Sequence, residues 1–179
     1  MLTRRGRPRN VTLQEKAQSR LADDLVPGER VRYALIAFRP GGVRNTMIAG
    51  AAGIAGVAGA AGMALAARRG KAEAPEAPIA IPGRIILTLT THRLATFTVG
   101  GIIRAAPGKL LHSWTLDQLA WVADPVLVPG VAQALRCSIG VTGTGVLGFE
   151  FPRLQVQEGR TMIARLAREL RELGEDPAS

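Results

Sequence analysis

The sequence predicts an α+β fold that is mainly β, a bent antiparallel sheet or partly open barrel closed by a C-terminal amphipathic helix. Between residues 84 and 151, short apolar runs are separated by Gly and Pro, which is the pattern of strands and turns. Apolar residues at 162, 163, 166, 170 and 173 then recur every three or four positions, as on a helix with one dry face. An uncharged Gly/Ala-rich stretch at 46–67 is expected to be a helical insertion after the first strand.

The N-terminal part predicts a tail and a short helix. Residues 1–10 are basic and lack apolar periodicity, so we expect a disordered tail. Residues 11–24 are expected to form a short helix, because Thr12 and Glu15 have the spacing of a capping box. Pro27 and Gly28 stop it.

One domain is expected over 25–174, interrupted at 43–82 by the apolar insertion and a Pro-rich linker and followed by a tail at 175–179. Its first strand is predicted at 29–38. Residues 84–90 and 92–99 predict a hairpin, and 109–124 predict a strand, a turn and a strand. Shorter strands are expected within 126–139 and 145–151, and Gly174 is expected to cap the last helix.

The order of these segments resembles that of bacterial pleckstrin-homology-like (PH/GRAM-like) domains. ERVRYALIAFRP is similar to their first strand, and ILTLTTHRLATFTV to their strand, threonine-basic turn, strand unit. LDQLAWV resembles the next strand entry, and GFEFPRLQVQEGRTMIARLARELREL the closing strand and helix. The resemblance implies a strongly bent sheet with a helix plugging one end. It also implies a binding module. The lipid-binding members of the family use basic residues in the loop after the first strand.

The Gly/Ala-rich insertion replaces that loop and is a candidate for membrane contact. About 22 helical residues reach roughly 33 Å, enough for a bilayer core of about 30 Å, but glycine and alanine make insertion marginal. A single span would also separate the first strand from the later ones. We therefore expect the segment to lie in or dip into the membrane without crossing it, or to pack on protein, or the folded domain to begin only after it. The candidate contact residues are Ile48, Ile54, Val57, Met63 and Leu65, with the flanking cations Arg39, Arg44, Arg68, Arg69 and Lys71.

The basic tail supports an alternative partner. Arg5-Gly6-Arg7-Pro8 resembles the core of an AT-hook, in which arginine enters the narrow, strongly negative minor groove of A/T-rich DNA. In that alternative the nucleic-acid contacts are Arg4, Arg5, Arg7 and Arg9.

The chain offers little for catalysis or cofactor binding. His92 and His112 have no carboxylate or cysteine at metal-ligand spacing, and Cys137 stands alone among apolar residues. Asp117 and Asp124 are typical of turns, and the glycines of 143–148 precede a strand rather than a helix, so they predict a hairpin turn and not a dinucleotide site.

The expected function is therefore that of a non-enzymatic binding or scaffolding module. No catalytic residue, metal, cofactor or small-molecule substrate is indicated. The single cysteine and the basic N-terminus without an apolar leader favour a cytoplasmic setting, with or without association at the inner membrane. The expected partner is an anionic membrane surface or a protein, with DNA as the alternative.

Overall fold

The computed structural model describes residues 11–44, 77–101, 104–130 and 133–175. Its elements, in chain order, are α1 Leu13–Leu21, β1 Val31–Phe38, β2 Arg84–Thr90, β3 Arg93–Gly100, β4 Ala106–Thr115, β5 Leu119–Val122, β6 Val126–Val128, β7 Ala134–Val141, β8 Gly145–Pro152 and α2 Val156–Glu175. Short 3-10 turns at Leu116–Gln118 and Arg153–Gln155 precede β5 and α2.

All strand pairs are antiparallel, and the strands lie in the order β4-β3-β2-β1-β8-β7-β5, with β6 also paired to β7. Within the described residues no pairing joins β4 to β5, so the sheet is not closed into a barrel. The β1–β8 junction is narrow, with Phe38 opposite Glu150. The predicted fold class, mainly β with a closing C-terminal helix, is confirmed.

The larger hydrophobic core lies between the two halves of the sheet. Leu87 of β2 and Trp114 of β4 belong to the same buried cluster as Ile139 of β7 and Phe149 of β8. Strands that are distant in the sheet order therefore face each other, which requires the sheet to bend. Met162 and Leu166 of α2 complete this cluster, so the helix closes the core along its apolar face.

A second, smaller core lies on the opposite face of β1–β3. Ala17 and Leu21 of α1 pack there against Ile86 and Phe97. The predicted capping box begins this helix, since the amide of Glu15 donates to the Thr12 hydroxyl and the amide of Thr12 donates to the Glu15 carboxylate. Because α1 covers this face, the strands can be apolar on both sides.

The chain after the insertion is packed against β8. The amide of Ile79 donates to the carbonyl of Val146, and the amide of Val146 donates to the carbonyl of Ala77. Ile81 is buried in the larger core. The last residues of the expected Pro-rich linker, 77–82, thus run beside the start of β8, where β1 has already ended.

At the C-terminus, α2 continues through Gly174 to Glu175, so Gly174 lies in the last turn rather than beyond it. Nearer the start of the helix, a Cβ atom on Gly159 would collide with the ring of Phe151, whereas one on Gly174 would meet no atom within 4 Å. The close approach of α2 to β8 thus depends on glycine at position 159.

We predict that Gly159→Ala lowers the free energy of unfolding by about 1–3 kcal/mol, because the added methyl group forces Phe151 or the helix to move. Gly174→Ala is the matched control and should be neutral or slightly stabilising, since alanine favours the helix and has space. Urea unfolding of both variants measures the difference. Equal effects of the two substitutions would contradict the close approach at Gly159.

Candidate functional site

Three chain connections gather at one end of the sheet. Phe38 at the end of β1 lies opposite Arg84 at the start of β2, and Gly100 at the end of β3 lies opposite Ala106. The β1–β2 and β3–β4 connections therefore both leave the sheet at this end of the strands. The β7–β8 turn lies at the same end, because Val146 is hydrogen-bonded to the chain before β2.

This end is positively charged. The described residues of 39–44, 77–84, 100–109 and 142–144 contain no Asp or Glu. They contain five exposed cations, which we call the basic end: Arg39, Arg44, Arg84, Arg104 and Lys109. Among these described residues no carboxylate offsets the positive charges of Arg39, Arg44, Arg84 and Lys109.

The carboxylate of Glu150 lies beside this end but is neutralised. Glu150 is 2% exposed, and its Oε1 accepts hydrogen bonds from Nε of Arg136 at 2.9 Å and Nη2 of Arg136 at 2.6 Å. Arg136 lies directly opposite Glu150 in the β7–β8 ladder. The ion pair therefore links two neighbouring strands and adds no net charge to this end of the sheet.

Two further cations of α1 reach the β3–β4 region. Nζ of Lys16 donates to the carbonyl of Ala105 at 2.9 Å, and Nε of Arg20 donates to the carbonyl of Gly108 at 3.2 Å. These bonds attach the helix to the start of β4 and extend the positive surface along α1.

The structure thus places two of the residues that the sequence indicated, Arg39 and Arg44, on an exposed surface at the end where the insertion leaves the sheet. The other membrane candidates (Ile48, Ile54, Val57, Met63, Leu65, Arg68, Arg69 and Lys71) and the DNA candidates (Arg4, Arg5, Arg7 and Arg9) lie outside the described residues. Sequence reasoning missed Arg84, Arg104 and Lys109, because only the strand register brings them to the same end.

The histidines and the cysteine are held in structural contacts. His112 stacks on Trp114 with ring centroids 5.0 Å apart, and its Nδ1 is 3.2 Å from the hydroxyl of Thr96. Nδ1 of His92 is 2.8 Å from the hydroxyl of Thr91 in the β2–β3 turn. Burial raises the pKa of the Cys137 thiol to about 12, so at neutral pH it is a protonated core residue.

The glycine-rich stretch forms the predicted hairpin turn between β7 and β8. Gly143 and Gly145 have φ angles of 69° and 140°, which favour glycine. Nor do the described residues contain a group of three or more His, Cys, Asp or Glu side chains that could hold a metal ion. A helix long and apolar enough to cross a bilayer is likewise not found in the described ranges.

A buried ion pair organises the opposite end of β2. Glu29 is 4% exposed, and its carboxylate accepts two hydrogen bonds from Arg93 at 2.8 Å each, one from Thr90 at 2.6 Å and one from the amide of Val26 at 3.0 Å. Burial alone would raise the pKa of Glu29. The hydrogen bonds from Arg93, Thr90 and Val26 outweigh burial and hold the pKa below its ordinary value.

We predict that Glu29→Gln lowers the free energy of unfolding by about 3 kcal/mol at neutral pH, because it leaves the guanidinium of Arg93 without its charged partner. A depressed folded-state pKa contributes stability that is present above the unfolded pKa and is lost as the pH falls through the folded value. The wild type should therefore lose this stability in acid, and the variant should lose less over the same range. Glu158→Gln, an exposed change of the same kind, is the control. Parallel pH profiles of wild type and Glu29→Gln in urea unfolding would contradict the assignment.

Neither a protein-family model nor a curated protein sequence matches the chain significantly. Comparison with solved structures finds a similarity to the crystal structure of a pleckstrin homology domain from Shewanella amazonensis SB2B. The match covers 86% of this chain and 97% of that domain, at 14% sequence identity and a TM-score of 0.47. The matched domain is of the class that the strand motifs of this chain resemble.

Proposed function

We propose that the chain is a binding module that docks on an anionic membrane surface through its basic end, with the insertion of 46–67 adding apolar contact. The observation that carries this proposal is the segregation of charge. Five exposed cations and no carboxylate lie among the described residues of the connecting segments at that end. A flat, negatively charged surface is the partner that such an end fits best.

The strength of the contact follows from the charges. Each Lys or Arg near an anionic bilayer contributes about 1 kcal/mol, and this attraction weakens within a Debye length of about 10 Å at 0.1 M salt. Cations alone therefore give reversible, salt-sensitive attachment. Apolar side chains of the insertion would add a component that salt does not weaken.

The position of the insertion also supports docking through the basic end. It is connected to the sheet at Arg44 and Ala77, and both residues lie at the basic end. A surface that meets Arg39, Arg44 and Arg84 is therefore close to both points at which the insertion is attached.

We predict that the triple variant Arg39→Gln, Arg44→Gln, Arg84→Gln weakens binding to anionic vesicles by about a hundredfold at low salt, from about 1 kcal/mol for each of the three charges. Flotation with phosphatidylcholine vesicles, with and without phosphatidylglycerol, measures it. The matched control removes three exposed cations from α2 (Arg160→Gln, Arg168→Gln, Arg171→Gln) and should retain binding. Equal losses in both variants would show that only the net charge acts, and would contradict docking by the basic end.

Deletion of residues 46–67 separates the two contributions. We expect the deletion to abolish flotation that persists in high salt and to leave low-salt binding to anionic vesicles in place, because the cations remain. If neither the deletion nor the triple variant changes vesicle binding, the membrane proposal is wrong and a protein partner is the one to seek.

A further inference from the structure

A groove of about 560 Å³ lies at the start of β1, at the end of that strand opposite Arg39 and Arg44. Side chains from α1, from β1 and the residue before it, from the β2–β3 turn and from α2 meet there. Its polar lining consists of Gln14, Arg30, Arg32, Tyr33, Thr91 and Arg165.

Two of the arginines are held by one carboxylate oxygen. Nη1 of Arg32 and Nε of Arg165 donate to the same Oε1 of Glu169, at 2.6 Å and 2.7 Å. Within the described part of the chain, Oε2 of Glu169 has no hydrogen-bond partner. Each guanidinium therefore makes only a single hydrogen bond to Glu169, and its remaining N–H groups are not engaged by that carboxylate.

The third arginine of the groove, Arg30, differs from the other two in its contacts. Arg30 is exposed, and among the described residues its guanidinium makes no hydrogen bond or ion pair. Its backbone, by contrast, is fixed by a reciprocal pair with Thr91: the amide of Arg30 donates to the Thr91 hydroxyl, and the amide of Thr91 donates to the carbonyl of Arg30. A charged group with a fixed base and a free end is available to a ligand.

A β-bulge brings these groups together. The register of β1 against β2 shifts between Val31 and Tyr33, so Arg32 is the extra residue. A bulge re-aims the side chains beside it, and bulges are frequent next to binding sites. Both backbone groups of Val31 are held by α1, through the side chains of Gln14 and Gln18. The strand start is thus fixed before any ligand arrives.

Positive charge remains in excess in the groove. Glu169 contacts two of the three arginines, and Glu172 acts at longer range on Arg165. The lining itself contains no carboxylate. A phosphomonoester carries a charge of about −1.5 to −2 at neutral pH and three acceptor oxygens, which matches several converging guanidinium groups better than a single carboxylate does. The volume exceeds that of a phosphoryl group alone, so the ligand has room for an organic part.

We propose that this groove binds the phosphoryl group of an organic phosphomonoester, with Arg30 as the principal contact and with Arg32 and Arg165 oriented by Glu169. The site is separate from the basic end, because the eight residues of β1 lie between them, about 26 Å at 3.3 Å per residue. It does not depend on the membrane function proposed above.

The test is titration of the full chain with glycerol 3-phosphate, followed by two-dimensional ¹⁵N NMR of the backbone and arginine side chains. We expect shifts at the groove, at least about tenfold weaker binding for Arg30→Gln, and an intermediate loss for Arg30→Lys, which keeps the charge but not the planar fork. Arg84→Gln is the matched control at the basic end and should bind as wild type does. Because the Arg30 side chain has no described partner, its substitution should leave the fold intact.

Equal affinity of wild type and Arg30→Gln for glycerol 3-phosphate would overturn the proposal, as would equal weakening in Arg84→Gln. Equal affinity for sulfate and for glycerol 3-phosphate would overturn the assignment of an organic phosphomonoester. Vesicles distinguish the source of the phosphoryl group: Arg30-dependent preference for phosphatidic acid over phosphatidylglycerol assigns it to a lipid, and binding of glycerol 3-phosphate without that preference assigns it to a soluble molecule. Arg30→Gln should leave binding to phosphatidylglycerol vesicles unchanged, so failure of this proposal is distinct from failure of the membrane proposal.

Discussion

Strand β2 is buried on both faces, and this burial constrains the rest of the fold. Every residue from Ile85 to Thr90 is buried. Ile85, Leu87 and Leu89 belong to the larger core, Ile86 belongs to the smaller one, and Thr88 and Thr90 are buried polar residues. Such a strand is stable only if both faces are covered, since each exposed apolar side chain would forfeit roughly 1.5–3 kcal/mol of burial. One cover is α1, and the other is the second half of the sheet with α2.

Because both faces of the strands are covered, the exposed binding surfaces lie at the ends of the strands. Chain connections must leave a doubly covered sheet at its edges and ends, because a buried loop would carry backbone groups without hydrogen-bond partners. The basic end and the arginine groove lie at opposite ends of β1. Each surface is therefore built from short segments that are distant in sequence and are held by strands whose register is fixed.

The charged residues have two roles, and buried charged residues differ in role from exposed ones. Glu29 with Arg93, and Glu150 with Arg136, are ion pairs whose carboxylates are almost fully buried, and they fix how neighbouring segments meet. A buried ion pair contributes little net stability, but removal of one partner is costly. By contrast, the cations of the basic end are exposed, and the guanidinium of Arg30 is free among the described residues. These exposed cations are the residues through which we expect binding.

The sequence by itself determined the elements and their order. Period-two alternation, Gly and Pro turns, the capping box at Thr12 and the apolar face of the last helix are local signals, and the structure agrees with each of them. They also indicated Arg39 and Arg44 as cations that flank the insertion. Local signals could not place Arg84, Arg104 and Lys109 at the same end, or join Arg30 and Arg32 to Arg165. Those groupings depend on strand register, on the bulge at Arg32 and on the packing of α2 across the sheet, which are decided by long-range burial and therefore only by the tertiary structure.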